Sequence, residues 1–140
     1  MQHRSVAAAA ALVLCAAVAG CSQQETKPER ATEAKITVDG TTQTTDDISC
    51  TQVDWALTIK TKLGPSQTSS FLQIGGPQPT AQTVNIENFN GFFGVAGEGV
   101  GQTEVSLDKN DYVVSGTAEG SDKDHPGQTR PASFRIQAHC

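Results

Sequence analysis

The stretch Trp55-Ala56-Leu57-Thr58-Ile59-Lys60 decides the fold class. Trp55, Leu57 and Ile59 recur at every second position, with Ala56, Thr58 and Lys60 between them. A period of two sends alternate side chains to opposite faces of an extended chain. An apolar set on one face marks a strand that is half buried. Gly64-Pro65 stops the run, as this pair of backbone breakers does.

The same signature repeats on both sides. Ile36-Thr37-Val38 alternates and ends at Asp39-Gly40, a turn signal. Asp47-Ile48-Ser49-Cys50 puts Ile48 and Cys50 on one face. Phe71-Leu72-Gln73-Ile74 breaks at Gly75-Gly76-Pro77-Gln78-Pro79, where two prolines forbid continued pairing. Val84 and Ile86 lead to a turn at Asn88-Phe89-Asn90-Gly91, and Phe92 to Ala96 forms the next strand. Glu98-Gly99-Val100-Gly101 reads as a loop. Val105 and Leu107 run into the tight turn Asp108-Lys109-Asn110-Asp111, and Tyr112-Val113-Val114 returns. Ser121 to Pro131 reads as a polar loop, and Ser133 to Ala138 is the last strand before Cys140. Eight or nine short strands at regular spacing, with no helical period, predict an all-β domain. The architecture is a small antiparallel β-sandwich or an open barrel.

Composition sets the limits. The chain has 140 residues, aromatics are 5%, and Trp55 and Tyr112 are single. The core therefore draws on Val, Ile, Leu and five Phe. All fifteen acids lie beyond Cys21, so losing Arg4 with a leader takes the net charge from -5 to about -6. An acidic domain argues against nucleic acid, which needs a clustered basic surface, and against a polybasic membrane patch.

The N-terminus supplies an address. Arg4 precedes an apolar run from Val6 to Ala19 that ends in Ala19-Gly20-Cys21. A basic start, a short apolar core and small residues form a secretory signal, and the run is too short to span a bilayer. Two processing routes compete. One is plain cleavage after Ala17-Val18-Ala19; the other is lipidation of Cys21, with cleavage just before it. The small residues and a thiol at the end of the run favour lipidation. Residues 1–20 are then a lipoprotein signal peptide, 21–34 a lipidated flexible tether, and 35–140 the β domain. Ser22 to Ala34 holds almost no apolar residue and cannot order itself by burial. No cofactor is expected beyond covalent lipid on Cys21, a diacylglycerol and an N-acyl group.

Cysteine arithmetic follows. Cys15 leaves with the signal and Cys21 carries lipid, so Cys50 and Cys140 remain in an oxidising compartment. They are expected to form a disulfide.

Catalytic motifs are thin. Gly94, Gly97, Gly99 and Gly101 lack the following helix that a dinucleotide site requires. Asp108 to Asp111 lacks the glycine and closing glutamate of an EF-hand loop. Asp122-Lys123-Asp124-His125 reads as an exposed acidic loop rather than a metal site. His125 and His139 are the only histidines beyond Cys21, so a nucleophile–His–acid relay is poorly supplied. The chain reads as a non-enzyme with no metal site.

These pieces resemble the mycobacterial LpqH-type lipoprotein antigens. The likeness is carried by the lipobox at Cys21, Ile36-Thr37-Val38-Asp39-Gly40, Ile48-Ser49-Cys50 and Asn88-Phe89-Asn90-Gly91. Ser115-Gly116-Thr117-Ala118-Glu119-Gly120 and the ending Ser133-Phe134-Arg135-Ile136 with Cys140 complete it. This chain departs by a shorter tether and by Trp55. The resemblance implies a membrane-anchored antigen on the outer face of the cell membrane, met by host receptors through its acylated N-terminus, with no assigned activity; the partners expected are the membrane itself and host receptors or envelope glycolipids. It places lipid on Cys21 and a structural bridge at Cys50 and Cys140. A second reading is a lipid or glycolipid carrier, whose apolar cavity Phe71, Phe89, Phe92 and Phe93 would line. The plainer role for those four is to fill the core.

Overall fold

The structure is a computed structural model and describes residues 33–140. Ten strands form one antiparallel sheet: β1 Ala34–Val38, β2 Thr41–Thr45, β3 Ile48–Val53, β4 Ala56–Leu63, β5 Ser66–Gln73, β6 Thr80–Phe89, β7 Phe92–Gly97, β8 Gln102–Asp108, β9 Asp111–Asp122 and β10 Arg130–His139. The order is β2-β1-β10-β9-β7-β6-β5-β4-β3, with β8 also on β9. Among the described residues there is no helix.

The two ends of that order are consecutive in sequence, and this nearly closes the sheet into a barrel. β2 and β3 act as one kinked stave. Its first half pairs with β1 and its second half with β4. The kink is pinned by the Thr45 hydroxyl donating to Lys62 O at 2.5 Å and by Lys62 N–H donating to Asp47 O at 3.0 Å. Beyond it, Gln43 donates across to Asn90 Oδ1 at 3.1 Å. β7 and β8 form a second kinked stave, whose upper half meets β9 at Phe92–Val95 and whose lower half meets it at Gln102–Asp108.

The interior is filled by alternate residues. Ile36, Leu57, Ile59, Leu72, Val84, Ile86, Phe89, Phe92, Val114, Phe134 and Ile136 are all below 5% exposed. One wall is different. The inner face of β5 presents Ser66, Thr68 and Ser70 before Leu72. Thr68 and Thr61 share a hydrogen bond of 2.7 Å, and Ser66 Oγ donates to Asn88 O at 2.7 Å. Ser70 Oγ is buried with no hydrogen-bond partner among the described residues.

Two glycines of β9 explain how the kinked stave fits. A Cβ on Gly116 would lie 1.9 Å from Gln102 O, and one on Gly120 would lie 1.9 Å from Phe93 O. Any side chain there would collide with the backbone of β8 or β7, so the strand must be bare at both points.

The structure revises several sequence expectations. The described residues hold ten strands rather than eight or nine; all-polar β2 (Thr41-Thr42-Gln43-Thr44-Thr45) carries no apolar alternation to announce it. Trp55 is not part of the buried face. It sits in the β3–β4 turn beside Asp54, whose φ is 51°, and it is 66% exposed. β9 runs on to Asp122 and β10 begins at Arg130, so the polar loop is shorter than Ser121 to Pro131.

Candidate functional site

The barrel has two unlike ends. One carries the β1–β2, β4–β5, β6–β7 and β9–β10 connections. The other carries the start of β1, the β3–β4 turn, the loop of residues 74–79, the β8–β9 turn and the end of β10. This follows from the antiparallel pairings.

The first end is held by Arg130. Its guanidinium donates to Asp122 Oδ1 and Oδ2 at 2.7 Å each, and to Asp39 Oδ2 at 2.7 Å. It lies 4.7 Å from the centroid of the Phe92 ring, which completes a cation–π contact. The fork holds the Asp122 carboxyl below the usual carboxylate range, chiefly by hydrogen bonding, and raises its own proton affinity. All these charges are partly exposed, so the cluster is salt-screened and positions the turns more than it stabilises them.

At the second end, where residues 1–33 join the domain at Ala34, the structure joins Cys50 to Cys140, 90 positions apart. Cys50 pairs with Ile59 in the sheet, on a strand that is exposed from Ser49 onward. β3 has β4 on one side only, and the bridge supplies a covalent contact on the other. Nearby, Gln137 Nε2 donates to Asp111 Oδ2 at 2.8 Å, and His139 Nδ1 lies 2.8 Å from Asp111 Oδ1. The Gln137 bond first, and then His139, lowers the Asp111 pKa. Leu107, Asn110, Tyr112, His139 and Cys140 line an opening of about 320 Å³ here. The sulfur in that opening is already bridged, so the His–acid pair faces no free thiol. It clamps the end of β10 to β9.

The four phenylalanines do not share a wall. Phe89 and Phe92 are 1% exposed in the core, while Phe71 and Phe93 point outward at 42% and 43%. A larger opening of about 450 Å³ lies over β4–β6 and is bordered by Lys60, Lys62, Asn85 and Glu87, a polar lining unsuited to an acyl chain. The hydroxyl-bearing wall of β5 adds to that mismatch. Among the described residues no group of three or more His, Cys, Asp or Glu is placed to hold a metal. Cys21, the expected lipid site, lies outside the described residues.

The amino-acid sequence is similar to known proteins. The model of the Mycobacterium 19 kDa lipoprotein antigen matches residues 27–140. A putative lipoprotein of Mycobacterium avium subsp. hominissuis is 30% identical, covering 100% of this chain and 97% of the relative. The probable lipoprotein LppE of Mycobacterium tuberculosis is 32% identical, covering 93% and 92%. Lipoprotein LpqH of Mycobacterium bovis is 28% identical, covering 97% and 96%. The chain belongs to the mycobacterial 19 kDa lipoprotein antigen family.

Proposed function

We propose that this member of a lipoprotein antigen family is displayed on the outer face of the cell membrane, tethered through lipid on Cys21, and works as a surface antigen and interaction module rather than as a catalyst. The observation that carries the reading is Ala19-Gly20-Cys21 closing an apolar leader, ahead of a domain whose relatives are named lipoproteins. One acyl chain gives only marginal membrane binding, so stable anchoring takes two or more. A diacylglyceryl thioether with an N-acyl group on the same residue meets that need. The acylated N-terminus is then the part a host receptor would engage. The β domain serves as a compact body that keeps its shape outside the cell, with a disulfide at one end and a charged fork at the other.

The test is Cys21→Ala expressed in a mycobacterial host. The altered protein should pass to the medium or the soluble fraction while the parent stays with membranes. Retention of Cys21→Ala in the membrane fraction would discard the anchor.

A further inference from the structure

We infer that the end of the barrel at which Ala34 enters is a membrane-docking surface, with Trp55 seated in the lipid headgroup layer. The inference rests on the lipid at Cys21 proposed above.

Among the described residues five large hydrophobic side chains are exposed: Val53 66%, Trp55 66%, Phe71 42%, Phe93 43% and Leu107 55%. Four of the five lie in the half of the barrel toward Ala34. Val53 ends β3 and Trp55 sits in the β3–β4 turn, Leu107 pairs with Tyr112 next to the β8–β9 turn, and Phe71 pairs with Thr58, two positions into β4 from the β3–β4 turn. Only Phe93, paired with Ser121, belongs to the other half. Single exposed hydrophobics need no explanation, and what sets these four apart is the end they share.

Trp55 is also held in place. Its backbone carbonyl accepts from Ile74 N–H at 2.8 Å. Its ring lies against Gly75, where an added Cβ would come within 2.8 Å of the indole. The side chain is therefore supported on one side by bare backbone and open on the other. An indole has an apolar body and a polar N–H, and this combination favours the boundary between water and hydrocarbon.

The position of the lipid selects a bilayer as the occupant. Cys21 is thirteen residues upstream of Ala34, a reach of at most about 45 Å fully extended. A coil of that length spans roughly 20 Å on average, about half the roughly 40 Å of the twelve-residue β9. The end holding Ala34 is thus the end kept nearest the membrane, and tethering makes even a weak contact intramolecular. The neighbouring turns carry Asp54, Asp108 and Asp111 against Lys109. Attraction to anionic lipid is therefore not the driving force, and the contact is apolar.

Trp55 is the single tryptophan, so its emission reports this surface alone. The acylated full chain is placed in phosphatidylcholine vesicles, with acylation checked by mass and binding by co-sedimentation. Its emission should shift to the blue relative to unlipidated Cys21→Ser in buffer. It should be quenched by shallow brominated phosphatidylcholine, and quenching should survive about 1 M salt. Val53→Asp should reduce quenching about twofold while acylation and co-sedimentation persist. An acylated, vesicle-bound protein whose Trp55 stays water-exposed and unquenched would overturn the docking surface and leave the anchor intact. Absence of acyl mass on Cys21 would overturn both. A blue shift of Cys21→Ser without vesicles, growing with protein concentration, would assign the surface to a second copy of the chain and overturn the proposal.

Discussion

Replacing both Cys50 and Cys140 with serine should be the costliest surface change in this domain. The bridge closes a loop of 90 positions. On the chain-entropy relation, opening a loop of about that length releases about 4–5 kcal/mol of denatured-state entropy. The loss has a local side too. β3 is exposed from Ser49 to Val53, lies on β4 alone, and contributes none of the fully buried side chains. Without the bridge it should fray before the rest of the barrel. For a domain of about a hundred residues each kcal/mol is worth about 4 °C, so the midpoint should fall by about 15–20 °C. Heating followed by circular dichroism reads the midpoint and urea unfolding reads the free-energy loss, with the parent under reductant as a second route to the same state. The slope of the transition should rise, because an unbridged denatured chain exposes more surface. Hydrogen exchange should show protection lost first in β3. A loss below about 1 kcal/mol by both routes would refute the view that the bridge supplies what the one-sided strand lacks.

Other outcomes follow from the same geometry. Gly116→Ala or Gly120→Ala would push a Cβ against backbone carbonyl oxygens and should cost more than about 3 kcal/mol or abolish folding, whereas Gly127→Ala, with open space around it, should be neutral in the same denaturation assay. Asp111 titrates below its ordinary range in the folded state because Gln137 and His139 hold its charged form. Its stabilisation is therefore complete above the ordinary carboxylate pKa and is lost as pH falls through the lowered value, and Asp111→Asn should flatten that acid limb of the stability–pH curve. Arg130→Met should lower the thermal midpoint, and the difference from the parent should shrink in high salt, because Asp39 and Asp122 are partly exposed partners.

The fold was legible wherever apolar residues alternated. Ile36 and Val38, Leu57 and Ile59, Val84 and Ile86, and Phe134 and Ile136 all face the core as their spacing predicts. Polar strands were not legible. β2 is Thr and Gln throughout, and β5 faces the interior with Ser66, Thr68 and Ser70, so only its end around Leu72 showed in the pattern. At Trp55 the period of two ran one residue too far, because Asp54 adopts a left-handed turn conformation that an Asp-Trp pair does not advertise. The pairing of Cys50 with Cys140 could be counted once two other cysteines were assigned to the leader and the lipid. The Arg130 fork could not, since Asp39 lies 91 positions away. Likewise Gly116 and Gly120 stood out as a motif, but only the crossing of β7 and β8 over β9 gives the reason for them.

Anchoring and display both depend on the chemistry at one sulfur, that of Cys21. Mass spectrometry of the protein extracted from membranes, digested to release its N-terminal peptide, reads that chemistry directly. The account predicts a first residue of Cys21 carrying a diacylglyceryl thioether and an N-acyl group. A processed chain that begins elsewhere, or a Cys21 whose thiol is free or bridged to another cysteine, would contradict it.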